Sequence, residues 1–201
     1  MYRYNEIVPT SEAAPLTPGR PRSEVARRAV LHAVDDMLVE DGYAAMTMKG
    51  IAERAGVGRQ TVGRWWSTKA QILLEAYVDD ARSELTTPRR GDAQRDLLDY
   101  LEALTEFLTE SPAGLAYRAL LGEAQHDPEV RELLRTADVL AVSTQIVLDQ
   151  IRPVAPAMPD DRLAATQLYG PILAQVLTTG TGLTRSLLKT HANSLLYAWQ
   201  P

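Results

Sequence analysis

Thr47–Lys69 reads TMKGIAERAGVGRQTVGRWWSTK, and this stretch decides the fold. Thr47 opens it, and a threonine hydroxyl suits the free backbone N–H groups of a first helical turn. Met48, Ile51, Ala52 and Ala55 follow at spacings of three and four and form one apolar helical face. Gly56 stands directly after the last periodic residue, where a left-handed conformation closes a helix without a Cβ penalty. Val57 plugs the angle that follows, and Gly58 is the N-cap of a second short helix, Arg59 to Trp66. There Val62 and Trp66 lie four apart and face inward, which leaves Arg59, Gln60, Thr61, Arg64 and Trp65 outward. Thr68 and Gln71 have capping-box spacing and start a third helix, with Lys69 in its first turn. Two short helices joined by a tight turn make a helix-turn-helix, a device that lays its second helix in the major groove of DNA.

The outward face carries two Arg, a Gln, a Thr and a Trp but no acid. Arginine suits guanine edges and glutamine suits adenine edges, so Arg59 and Gln60, which lead the helix, are the expected base readers. A cation in the first turn of a helix opposes the helix dipole, and a DNA phosphate beside Lys69 would resolve that conflict. Thr47, Thr61 and Trp65 are expected to hold phosphates beside it, with Arg64 as a further outward cation. The competing reading is three ordinary helices with a solvated polar face.

The stretch resembles the DNA-binding domain of TetR-family regulators. The features that carry the resemblance are Thr47 opening the second helix, the IAERAGV turn, Thr61 in mid-helix, the Trp65–Trp66 pair, and Lys69 before Ile72-Leu73-Leu74. It covers residues 23 to 77 well and the remainder by length and helical character. The family usually has an acid where Gly50 sits, and an aromatic that contacts DNA where Gly63 sits.

The chain has 201 residues with 45% hydrophobic content, enough for one or two domains. It has no cysteine, so a disulfide framework, a thiolate nucleophile and a Cys-based metal site are excluded. No apolar run approaches the roughly 20 residues of a membrane span, and the start of the chain lacks a signal peptide's apolar stretch. The expectation is a soluble, cytoplasmic protein with no membrane partner. The net charge of −5 hides an asymmetry. Residues 20–70 carry nine Lys/Arg against six Asp/Glu, net +3, while residues 71–201 carry eleven against eighteen, net −7. The basic charge lies with the helix-turn-helix, and the acidic remainder repels DNA elsewhere.

Residues 1–22 are expected to be a disordered tail, holding four of the chain's 12 prolines. Arg20 and Arg22 flank Pro21 just ahead of the first helix, a position from which an arm reaches a minor groove. Ser23 caps helix one, and residues 23–86 form the DNA-binding domain with a linking fourth helix. Residues 87–201 form a second helical domain. Its helices are expected over Ala93–Glu110, Ser111 to about Gln125, Asp127 to about Ile151, Asp160 to about Thr178, and Thr184 to Trp199. Arg152 to Pro159 is a proline-rich loop, and Pro171 is expected to kink the helix near Gly170. The fold class is all-α, an N-terminal helix-turn-helix domain followed by a C-terminal ligand-binding and dimerisation domain.

The last two helices carry unusually broad apolar stripes. One includes Leu168, Ile172 and Val176; the other includes Leu188, Leu195 and Trp199. In the family the final two helices form a four-helix bundle with a second subunit, so the resemblance implies a homodimer through these six residues. The alternative is two fully buried core helices in a monomer. A two-fold dimer also suits a palindromic operator on double-stranded DNA, because one short recognition helix buries little.

Tyr100, Phe107, Tyr117, Leu121 and Gln125 lie on inward-reading faces of the middle helices, with Gln145 as a polar contact; together they are the candidate pocket for a small-molecule effector, or simply core. His32, His126 and His191 lie on separate helices with no metal-ligand spacing, and His126 is expected to hydrogen-bond Asp127. No phosphate loop, nucleophile elbow or cofactor motif occurs, so neither catalysis nor a cofactor is expected. The resulting expectation is a DNA-binding transcriptional regulator, a repressor released by a ligand. The alternatives are an activator without a ligand or a helical interaction module.

Overall fold

The computed structural model describes residues 20–200. Helix α1 spans Arg20–Asp41, α2 Met48–Arg54, α3 Arg59–Trp65 and α4 Lys69–Glu84. The second half holds α5 (Ala93–Glu110), α6 (Pro112–Glu123), α7 (Pro128–Ala137), α8 (Val139–Ile151), α9 (Asp161–Thr179) and α10 (Arg185–Ala198). Among the described residues the regular elements are all helical, as the periodicity predicts.

Residues 1–19 of the expected tail lie outside the described residues, whereas 20–22 belong to α1. The described part of the helix therefore already includes the three residues ahead of Ser23, which lies within it rather than at its cap. The minor-groove expectation for Arg20 and Arg22 rests on side chains outside the described residues.

α4 is the seam of the molecule. Ile72, Leu73, Tyr77 and Ala81 are buried along it, packed against α1 on one side and α6 on the other. The loop after it is tied down by Asp96, a buried carboxylate that accepts the N–H groups of Arg90 (2.8 Å) and Gly91 (3.1 Å). α5 is the axle of the second half. Its buried Leu97, Leu101, Leu104 and Leu108 meet α6, α8, α9 and α10. α6 crosses it so closely that a Cβ on Gly114 would overlap the Phe107 carbonyl, so the crossing depends on glycine.

Two expectations for the second half need correcting. The span after Asp127 is two helices, broken at Asp138, which takes the left-handed conformation (φ 37°, ψ 55°). No proline or glycine marks the break; an aspartate tolerates this region better than most side chains. Asp127 does cap α7, accepting from Glu129 N at 2.8 Å, but His126 is exposed and makes no bond to it. The proline-rich segment contains a short 3-10 turn, Arg152–Val154. α9 remains helical through Pro171 and ends at Gly180, where φ is 74°.

Candidate nucleic-acid interface

The turn between α2 and α3 is closed by backbone chemistry that the glycine permits. Gly56 has φ 65°; its N–H donates to Glu53 O (3.2 Å) while Val57 N–H reaches Ala52 O (3.0 Å). This double closure is a Schellman motif, and it sets the exit direction of the chain. Thr47 caps α2 by accepting from Gly50 N at 3.0 Å. Thr68 caps α4 by accepting from Gln71 N at 3.2 Å, and Gln71 Oε1 returns the contact to Ser67 N at 2.7 Å.

Val62 and Trp66 fasten α3 from beneath; both are buried. The Trp66 indole N–H donates to Glu75 Oε2 at 3.0 Å, and Glu75 also pairs with Arg27 at 2.6 Å. One carboxylate thus joins α1, the end of α3 and α4. Trp65 stands edge-on to Trp66, 5.4 Å between ring centres, and is half-buried.

The outward face is as the spacing predicts. Arg59, Gln60 and Arg64 are exposed and Thr61 is half-buried. Among the described residues the side chains of Arg59, Gln60 and Arg64 make no intramolecular hydrogen bond or ion pair, while Arg54, Lys49 and Lys69 around them are committed. Arg54 binds Glu40 at 2.7 Å, and Lys49 lies 3.6 Å from Glu53. Gly63 faces open space, with nothing within 4 Å of a Cβ placed there. Thr47 is exposed, and its hydroxyl, which accepts within the cap, still has its proton to donate.

Lys69 is not poised as expected. Its ammonium donates to Tyr43 O at 2.8 Å and lies 4.1 Å from the Tyr43 ring centre. A carbonyl and a ring face, not an outside anion, offset its place in the first turn of α4. Sequence reasoning missed Tyr43 because it is 26 residues away and lies in a short 3-10 turn, Tyr43–Ala45. Burial first, then the nearby carboxylates of Glu123 and Asp127, push the Tyr43 phenol up to about 12. Those carboxylates belong to the α6–α7 corner, so Tyr43 feels charge from the second half of the chain.

The candidate effector residues separate into groups. Tyr100 and Phe107 are buried, and the Tyr100 hydroxyl lies 3.1 Å from Ser143 Oγ and 2.8 Å from Thr144 Oγ1. Tyr117 is half-buried, 6.3 Å from the Phe107 ring and 6.2 Å from the Tyr77 ring. The Tyr77 hydroxyl is buried beside them with no hydrogen-bond partner, and burial holds its proton on. Leu121 is half-buried, but Gln125 is exposed and donates to Leu121 O, so it does not face inward. Gln145 lies apart from the rings of α5 and α6, on a cleft of about 600 Å³ between α8 and α9 that Tyr169 and Arg162 also line.

The six candidate dimer residues, Leu168, Ile172, Val176, Leu188, Leu195 and Trp199, are all turned into the chain's own core, each 7% exposed or less. α9 packs Leu168, Ile172 and Val176 toward α5 and α8, and α10 packs on α5. His191 strengthens that seam by contacting Leu168 O at 3.0 Å. The exposed apolar side chains of the two helices are instead Leu163, Leu177, Leu187 and Tyr197.

Comparison with known proteins bears on this arrangement. Residues 30–76 match the family model described as bacterial regulatory proteins, tetR family, and residues 87–195 match that of the tetracyclin repressor-like C-terminal domain. An uncharacterised HTH-type transcriptional regulator of Bacillus subtilis, YdeS, is 31% identical over 85% of this chain and 88% of its own length. The DNA-binding transcriptional repressor TetR of Mycobacteroides abscessus is 27% identical over 57% of this chain and 60% of its own. The crystal structure of the TetR family transcription regulator SCO0332 superposes with a TM-score of 0.71 at 27% identity, covering 88% of this chain and 99% of that one.

Proposed function

The chain belongs to the TetR family of bacterial regulatory proteins and is a DNA-binding transcriptional regulator, and from that premise we propose that it represses transcription as a homodimer on a palindromic operator and is released by a small-molecule effector. The observation that carries the DNA contact is the outward face of α3, where Arg59, Gln60 and Arg64 are exposed and uncommitted while neighbouring cations are paired. Arg59 and Gln60 read base edges. Thr47, Thr61, Trp65 and Arg64 hold phosphates. Lys69 contributes with the N–H donors that its ammonium does not spend on Tyr43.

The dimer forms through the outer faces of α9 and α10. Leu163 and Leu177 lie on one side of α9, while Leu187 and Tyr197 project from α10, between 47% and 81% exposed. Apolar side chains of this size on adjacent helices favour burial against a second copy.

The effector occupies the ring-rich centre between α4, α5 and α6. Tyr77 lies on α4, the helix that continues from the helix-turn-helix, and its phenol lacks an acceptor. A ligand that accepts this hydrogen bond binds one position of α4 better than another, which is what a switch requires. Selection of DNA from a random pool tests the first part: recovery of an inverted repeat with half-sites about one helical turn apart is expected. Recovery of no sequence preference refutes it.

A further inference from the structure

We propose that the groove between the α3–α4 junction and α7 is a binding site for an aromatic or amphipathic monocation. Two hollows, of about 440 and 290 Å³, adjoin there and share Gln71 and Leu133 in their linings. One wall belongs to the DNA-binding half, with Trp65 and Trp66 from the end of α3 and Leu74 and Val78 from α4. The facing wall is α7, through Leu133. The two indoles, 5.4 Å apart and at 79°, give a ring corner whose outer member, Trp65, is half-buried.

The polar lining selects the charge of the occupant. Glu75, Asp79, Glu129 and Glu132 border the hollows, and no Lys, Arg or His lines either one. Some of this charge is offset from outside: Arg27 pairs with Glu75 at 2.6 Å, Arg82 with Asp79 at 3.3 Å, and Arg135 with Glu132. Glu129 makes no ion pair among the described residues. An indole face attracts a cation through its quadrupole, and carboxylates on the walls of the groove add a Coulomb attraction. The same carboxylates repel phosphate, so the DNA-reading face ends at Trp65, whose ring borders both surfaces. A neutral apolar molecule would gain the rings and Leu133 but none of the charge. The groove is therefore distinct from the ring-rich centre around Tyr77 and from the cleft at Gln145, and its occupant touches the end of α3 and α7 at once.

The test uses the full chain without DNA. Tetraphenylphosphonium, a permanent cation with aromatic arms, is titrated by calorimetry and by quenching of tryptophan fluorescence, with neutral triphenylphosphine oxide as the control. The expected result is saturable binding of one cation per protomer, about tenfold or more tighter than the neutral compound. A double variant, Asp79→Asn with Glu129→Gln, removes two exposed charges and should weaken the cation about fivefold while leaving the neutral control unchanged. Leu133→Arg places a tethered cation in the groove and should abolish binding. Circular dichroism and melting report that each variant is folded. Equal affinity for the two compounds overturns the proposal, and so does cation binding that neither variant alters.

Discussion

Arg59→Ala separates a base reader from a general cation. Arg59 is exposed and has no intramolecular partner, so its loss should change folding stability by no more than about 0.5 kcal/mol. If it reads a base as proposed, its contribution on DNA is that of an arginine at a guanine edge, about 1–3 kcal/mol per half-site. The proposed dimer would engage two half-sites, so the expected total loss is about 2–6 kcal/mol, roughly 30-fold to 20,000-fold in affinity. The loss should be confined to sequence preference at one position in each half-site. The assay is fluorescence anisotropy at one fixed salt concentration, with the selected operator and operators changed at single symmetric positions. For the variant, one position should become indifferent to base identity. Arg54→Ala is the internal control, because Arg54 is held by Glu40 at 2.7 Å and should leave preference untouched. If Arg59→Ala weakens every sequence equally, Arg59 is a phosphate contact and the assignment by position in α3 is wrong.

Lys69→Ala should act twice: it removes the donor to Tyr43 O and lowers stability by about 1–2 kcal/mol in thermal melts, and it reduces the salt slope of DNA binding by about one per site if the ammonium also meets a phosphate. An unchanged slope confines Lys69 to its structural contact. Tyr77→Phe removes a buried hydroxyl with no partner, so it should keep or raise stability, by up to about 1–2 kcal/mol. A clear drop in melting temperature would mean that the hydroxyl is satisfied. Leu177→Glu and Tyr197→Glu should yield folded monomers by light scattering, whereas Leu195→Glu should unfold the second half, because Leu195 is 7% exposed inside one chain. A folded dimer from both outer-face variants places the interface elsewhere. Asp35 is raised from an ordinary 3.8 to about 6, by burial first and then by Asp80, with Asp36 adding and His32 opposing. Its folded form therefore binds the proton more tightly than the unfolded chain does, and the stability this proton provides is lost as pH rises from about 4 through 6. Asp35→Asn should raise the melting temperature at pH 7 and flatten that slope.

The sequence by itself determined the elements whose signals are local. Thr47, Gly56, Gly58 and Thr68 specify caps and a turn through backbone geometry within four residues, and those elements stand where the pattern puts them. The outward face of α3 follows from its two inward anchors, Val62 and Trp66. The family resemblance rests on the same short stretch and is borne out by both halves of the chain. Only the tertiary structure decided what depends on distant partners. Lys69 meets Tyr43 across 26 residues, a pairing without period or spacing. Asp138 breaks a helix where no glycine or proline stands, and α8 beyond it packs on α5 and α9. α9 carries apolar residues around most of its circumference, so periodicity could not tell the face that covers α5 and α8 from the face left for a partner. Burial is set by what packs on a helix, and for α9 and α10 that is an axle some 60 to 100 residues earlier in the chain, α5.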